Sequence, residues 1–143
     1  MESYSKIIQL RWADLDPNFH VLHSRYYDFG ALCRMSFLVE NGFTPAIMQQ
    51  HHCGPILFRE ECTFRRELGF SDEVRINLTV TSGTHNFSRW SMQHDIYKNG
   101  DVLSAVIKVD GAWLNTQTRK LAPPPDEAVA LFSEAPKSQE FNF

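Results

Sequence analysis

Cysteine is scarce in this sequence: Cys33, Cys53 and Cys62 stand alone, with no CxxC spacing. An odd count without that spacing suggests neither a disulfide framework nor a zinc ribbon, and a reducing compartment is the simpler reading. Long apolar runs are missing too, none approaching the roughly 18 to 20 residues needed to cross a bilayer. The opening stretch, Met1 to Ile8, carries Glu2 and Ser3 ahead of only a few apolar residues, so no leader is expected and the sequence reads as cytoplasmic, with no membrane partner. Positive charge is not in excess either. Fourteen Lys and Arg against seventeen Asp and Glu leave a net charge of −3, which argues against a nucleic-acid partner.

What remains is 143 residues, 43% hydrophobic and 22% charged, the make-up of one globular domain with a substantial core. The aromatic share is 13%, with eleven Phe. That suits a Phe-rich core, and equally a chain that also buries an interface or an apolar pocket.

Apolar spacing sets the expected elements. Ile8, Leu10 and Trp12 share one side of an extended segment, Lys6 to Trp12. Ala13 to His23 holds Asp14, Asp16, Pro17 and Asn18, which favour turns. From Ser24 to Glu40, Tyr26, Phe29, Cys33 and Phe37 recur at three- and four-residue steps, predicting the one long helix. Ser24 or His23 is its expected cap and Asn41-Gly42 its stop. Strands follow over Ile56 to Arg65, Val74 to Val80, Trp90 to Ile96 and Val102 to Leu114, with a turn at Ser82-Gly83-Thr84, a hairpin at Lys98-Asn99-Gly100-Asp101 and a bulge at Gly111. Asp126 to Phe132 predicts a short helix, and Ser133 to Phe143 a weakly ordered tail. The sum is an α+β domain over residues 1–132 with a C-terminal tail over 133–143, its helix lying against a single sheet.

Reactive groups crowd the loop between the first strand and the helix, Arg11 to Tyr26. A loop feeding a helix N-terminus offers unpaired N–H groups for an oxyanion beside a carboxylate that serves as base or nucleophile. Asp16 and the amides near His23 have that relation in sequence. The same residues also read as plain turn formers, with Ser24 as a cap. His20 and His23, taken with His51 and His52, lie on loops at opposite ends of the helix and so do not converge as a metal site.

This loop resembles that of the 4-hydroxybenzoyl-coenzyme-A type of thioesterase within the hotdog fold. The pattern there runs Arg, two spacers, Asp, spacer, Asp, two spacers, Gly-His-Val-Asn-Asn, two spacers, Tyr. Arg11, Asp14, Asp16, His20, Val21 and Tyr26 stand at the matching places. Phe19 replaces the Gly, Leu22 and His23 replace the Asn pair, and Ala31 stands where many members have Glu. Pro55 to Arg66, Gly69 to Glu73, Ser88 to Gly100 and Leu121-Ala122-Pro123 are similar as well.

The resemblance implies a five-stranded antiparallel sheet wrapped around one long helix. It also implies hydrolysis of an acyl-CoA or acyl carrier protein thioester, with no cofactor and no metal. Asp16 takes the catalytic role, with His23 and Ser24 supplying oxyanion donors, while His20 orders the loop. A thiol leaving group of pKa about 8.5 departs as thiolate, so no strong general acid is demanded. Phe19 and Tyr26 are expected to line the acyl pocket, and Arg65 and Arg89 to meet the coenzyme's phosphates. Glu60 interrupts an apolar strand face, either bordering the cleft or paired with a neighbouring arginine such as Arg59, Arg65 or Arg66. Asp14 reads as a loop organiser pairing with Arg11. A homodimer or dimer of dimers follows, to cover aromatics on the sheet's outer face and edges. The competing readings are a hydratase or dehydratase using His20 with Glu60, and a non-catalytic acyl or protein binding module.

Overall fold

The computed structural model describes residues 1–143. It is an α+β structure built on one sheet of eight strands. In chain order these are β1 (Ser5–Ile8), β2 (Cys53–Phe64), β3 (Val74–Asn77), β4 (Thr79–Gly83), β5 (Arg89–Lys98), β6 (Val102–Asn115), β7 (Lys120–Leu121) and β8 (Lys137–Asn142). The helices are α1 (Arg25–Glu40), α2 (Pro45–Gln50) and α3 (Asp126–Glu134). β3 and β4 pair one after the other with β5, in one register as far as Val80 and shifted by one residue from Ser82, and so act as one lane. From one edge to the other the sheet runs β2, β6, β5, then the β3–β4 lane, flanked by β1 and β8.

Helix α1 forms as its spacing requires, with Tyr26, Phe29, Cys33 and Phe37 all buried. Its other side is not polar: Leu32, Met35 and Val39 are exposed. Tyr4, just before β1, donates to Glu40 at 2.6 Å, and Lys6 pairs with the same carboxylate at 3.1 Å, so the first strand is tied to the helix's end. Burial pushes the Cys33 thiol up to about 12, where it is inert at neutral pH.

Several expected boundaries move. The first strand stops at Ile8, and Trp12 starts a 3₁₀ turn with its ring 73% exposed instead of facing the core. Ser24 lies at the helix entry in helical conformation and its side chain caps nothing. Helix α2 was not legible, although Thr44 caps it and Pro45 opens it. The hairpin stands where expected, with Asn99 and Gly100 both at positive φ (53° and 99°). The bulge, however, falls on Phe58 of β2, opposite Gly111. Gly111 is needed for another reason, because a Cβ there would sit 2.5 Å from the Trp90 ring and 2.6 Å from the Ile56 carbonyl.

The C-terminal segment is no loose tail. β8 pairs in parallel with β4, so the sheet is not wholly antiparallel. Lys137 donates to the carbonyls of Phe132, Ser133 and Ala135, satisfying the end of α3. The outer face also differs from expectation. Thr81, Ser91, Gln93, Lys108 and Asp110 make it polar, and the uncovered aromatics, Phe58 and Phe64, lie on the edge strand β2.

Candidate active site

The loop from Arg11 to Ser24 is organised by one buried carboxylate. Asp14 accepts from the Arg11 main-chain N–H at 2.9 Å and from its guanidinium at 2.8 Å, with Arg25 at 3.6 Å. Burial opposes ionisation, but the Arg11 hydrogen bonds and the Arg25 charge prevail and hold this carboxyl below the usual range. A depressed folded value means that Asp14 stabilises the fold above its ordinary value of about 4, and that this contribution is lost as pH falls through the folded value. Urea unfolding below pH 4 is expected to show this acid limb, and Asp14→Asn to weaken it.

Asp16 sits on the turn that follows, half-buried. Its Oδ1 accepts from the N–H groups of Asn18 at 2.8 Å and His20 at 3.1 Å, while Oδ2 has no partner in the chain. The main-chain N–H of Asp16 donates to the His20 carbonyl at 2.8 Å. Leu15 bridges Val21, and His20 bridges Gly69, so the turn is a small hairpin pinned to the segment after β2. His20 therefore orders the loop through its backbone, and its imidazole makes no hydrogen bond within the chain.

Phe19 keeps the backbone that a glycine would supply there, with φ 64°. Its ring is 62% exposed and lies 6.1 Å from that of Trp12. Left-handed backbone strains a side chain, while glycine adds unfolded-state entropy. Phe19→Gly is accordingly expected to raise stability by about 0.5–1 kcal/mol in urea unfolding. A fall would mean that the aromatic contact outweighs the strain.

Beyond this hairpin the chain turns into α1. The Arg25 N–H is taken by the Leu22 carbonyl at 3.0 Å, whereas the N–H groups of His23 and Ser24 find no acceptor. Both residues are exposed. His23, Tyr26 and Arg65 come together in a groove of about 330 Å³ that also has Phe64, Arg66 and Glu67 on its walls. Tyr26 is itself buried, edge-on to Phe64 at 4.9 Å, and burial pushes its hydroxyl up. Asp16 lies on the neighbouring turn and does not line this groove.

Two expected contacts lie elsewhere. Arg89 opens β5 opposite Ala112 and covers the Phe58 ring at 5.2 Å, whereas Arg65 follows the residue paired with Ala105. At ~3.4 Å per residue, the two arginines stand roughly 25 Å apart along the strands. Glu60 pairs not with Arg59, Arg65 or Arg66 but with Arg34 of α1, at 3.5 Å, while Arg59 takes Glu61 at 2.7 Å. His51 pairs with Glu127 of α3 at 2.6 Å.

The family model described as the thioesterase-like superfamily matches residues 10–132, the whole stretch from this loop to α3. The chain belongs to that superfamily. Solved structures similar to this thioesterase-like chain include a DHNA-CoA thioesterase from Staphylococcus aureus, 14% identical, with TM-score 0.83 over 94% of this chain and 91% of that one. A hypothetical protein from Staphylococcus aureus in complex with CoA is 15% identical, with TM-score 0.85 over 96% and 89%. A 1,4-dihydroxy-2-naphthoyl-CoA thioesterase from Synechocystis is 17% identical, with TM-score 0.82 over 92% and 96%. At such identities the likeness is one of fold. No curated protein matches the chain by sequence, and none of its helices is long and apolar enough to cross a membrane.

One polar cluster of this thioesterase-like chain escaped the sequence reading. His94 of β5 is fully buried, with Arg34 Nη1 donating to its Nε2 at 3.0 Å and its Nδ1 N–H donating to the Asn77 carbonyl at 2.8 Å. Burial, and then the Arg34 charge, push this imidazole down to about 4. A Cβ on Gly30 would lie 3.3 Å from both the Arg34 and His94 side chains, so glycine one turn before Arg34 makes their room. The available signal was a histidine on the apolar side of an alternating strand, which demands a buried partner.

Proposed function

We propose that this protein is a hotdog thioesterase that hydrolyses an acyl-CoA thioester to the free acid and CoA. The carrying observation is that one loop, fixed by the buried Asp14, presents a free carboxylate oxygen of Asp16 together with two unpartnered N–H groups, those of His23 and Ser24. In this reading the thioester carbonyl oxygen accepts from those N–H groups. Asp16 Oδ2 then either attacks the carbonyl carbon, so that the departing thiolate leaves a mixed anhydride that water cleaves to the free acid, or takes a proton from the attacking water; in both cases the thiolate leaves without a general acid. Coenzyme A as the carrier is favoured by the basic groove of Arg65 and Arg66 beside His23, and by the neighbour bound to CoA.

A second copy of the chain completes the site. Strand β2 pairs only with β6, leaving its other edge open, and that edge carries the exposed Leu57, Phe58 and Phe64, while α1 exposes Leu32, Met35 and Val39. An interface along them sets α1 and the groove of one protomer beside the β2 of its partner, within a sheet that wraps the helix.

Release of thiol from a panel of aliphatic and aromatic acyl-CoA esters tests the reading. Turnover of at least one ester supports it, whereas no release from any points to a binding module, and hydration of crotonyl-CoA in its place points to a hydratase.

A further inference from the structure

Between α1, the start of β2 and α3 lies a cavity of about 180 Å³, separate from the groove at the helix start. Its walls are apolar, among them Ala31, Met35, Leu57, Trp90 and Phe132, with one charged exception, Arg34. It is larger than the roughly 150 Å³ that holds a benzene-sized guest in an engineered core. The one charged side chain on its wall can only donate. A guanidinium has five N–H groups; one goes to His94, another faces Glu60, and the others have no acceptor in the chain. An apolar chamber with spare guanidinium N–H groups on its wall suits a guest that is carbon-rich and ends in oxygen.

Charge narrows the oxygen's type. Arg34 already has Glu60 as its counter-ion and His94 is neutral, so the cluster is electrically balanced. A carboxylate arriving there would face Glu60 without a cation of its own, whereas a hydroxyl or keto oxygen takes the free N–H groups at no such penalty. Position sets the length. The Arg34 guanidinium folds back beside Gly30, six residues beyond the Ser24 N–H that would hold the thioester oxygen, which is about 9 Å along the axis. An extended acyl group about six bonds long, with a hydrogen bond of about 2.9 Å at its end, covers that distance.

We propose that Arg34, held by His94 and Glu60, is a specificity-determining residue that receives an uncharged oxygen at the far end of a medium-length acyl group. The proposal rests on the thioesterase reading above. The test compares 6-hydroxyhexanoyl-CoA with hexanoyl-CoA, for the wild type, Arg34→Lys, and Arg34→Met combined with Glu60→Gln so that no unpaired carboxylate is left behind. The wild type is expected to favour the hydroxylated ester by about ten-fold or more in kcat/KM. The double variant brings the ratio to about one, and Arg34→Lys restores part of it. Equal turnover of both esters by the wild type, or a preference that survives in the double variant, overturns the proposal. Calorimetric binding of the same two esters separates it from the reading beneath: if neither is hydrolysed, an Arg34-dependent binding preference still supports this role, and equal binding ends it.

Discussion

Asp16→Asn is expected to lower kcat/KM for acyl-CoA hydrolysis by about 10³-fold, the scale at which removal of a positioned base or nucleophile is felt. Thermal stability should hardly change. Asparagine's carbonyl oxygen can still accept from the Asn18 and His20 N–H groups, so the turn survives while the free carboxylate oxygen is replaced by an amide that neither attacks nor takes a proton. Full activity in a folded variant would remove Asp16 from the chemistry while leaving the fold untouched.

Acid is expected to destabilise the protein well before its carboxylates titrate. His94 has an ordinary value of about 6.5 in the unfolded chain and about 4 in the folded one. Between those values the unfolded state binds a proton that the folded state refuses, so stability is present above pH 6.5 and drains away as pH falls toward 4. The shift corresponds to about 3 kcal/mol. Arg34 reaches His94 from α1 and Glu60 reaches Arg34 from β2, so a proton on the imidazole meets a fixed cation whose counter-ion lies on its other side. Urea midpoints from pH 7 to pH 4.5 should fall in the wild type, and His94→Gln should flatten that slope. A wild-type midpoint constant over the range would contradict the buried neutral histidine.

Periodicity carried the core of the fold. Tyr26, Phe29, Cys33 and Phe37 predicted α1, and the alternation of Trp90, Met92, His94 and Ile96 predicted β5, because burial on one side enforces those periods. What failed depended on tertiary partners. β8 exists because β4 offers an open edge, and the residues Lys137 to Asn142 show no alternation that would announce it. Trp12 completes an apparent apolar row, yet the turn around Asp14 rotates it outward. In the loop, Asp14 and Asp16 were legible as organiser and candidate reactive group because the motif fixes their spacing. The pairing of Glu60 was not, since a helix residue twenty-six positions earlier supplies the arginine, and strand neighbours were the natural guess.

The proposed hydrolysis turns on where a thioester comes to rest. A crystal structure of Asp16→Asn with an intact acyl-CoA ester measures it directly. The thioester carbon is expected within about 3.5 Å of the residue-16 side chain, and its carbonyl oxygen within about 3.2 Å of the His23 or Ser24 nitrogen. An ester bound with its carbonyl remote from both would contradict it.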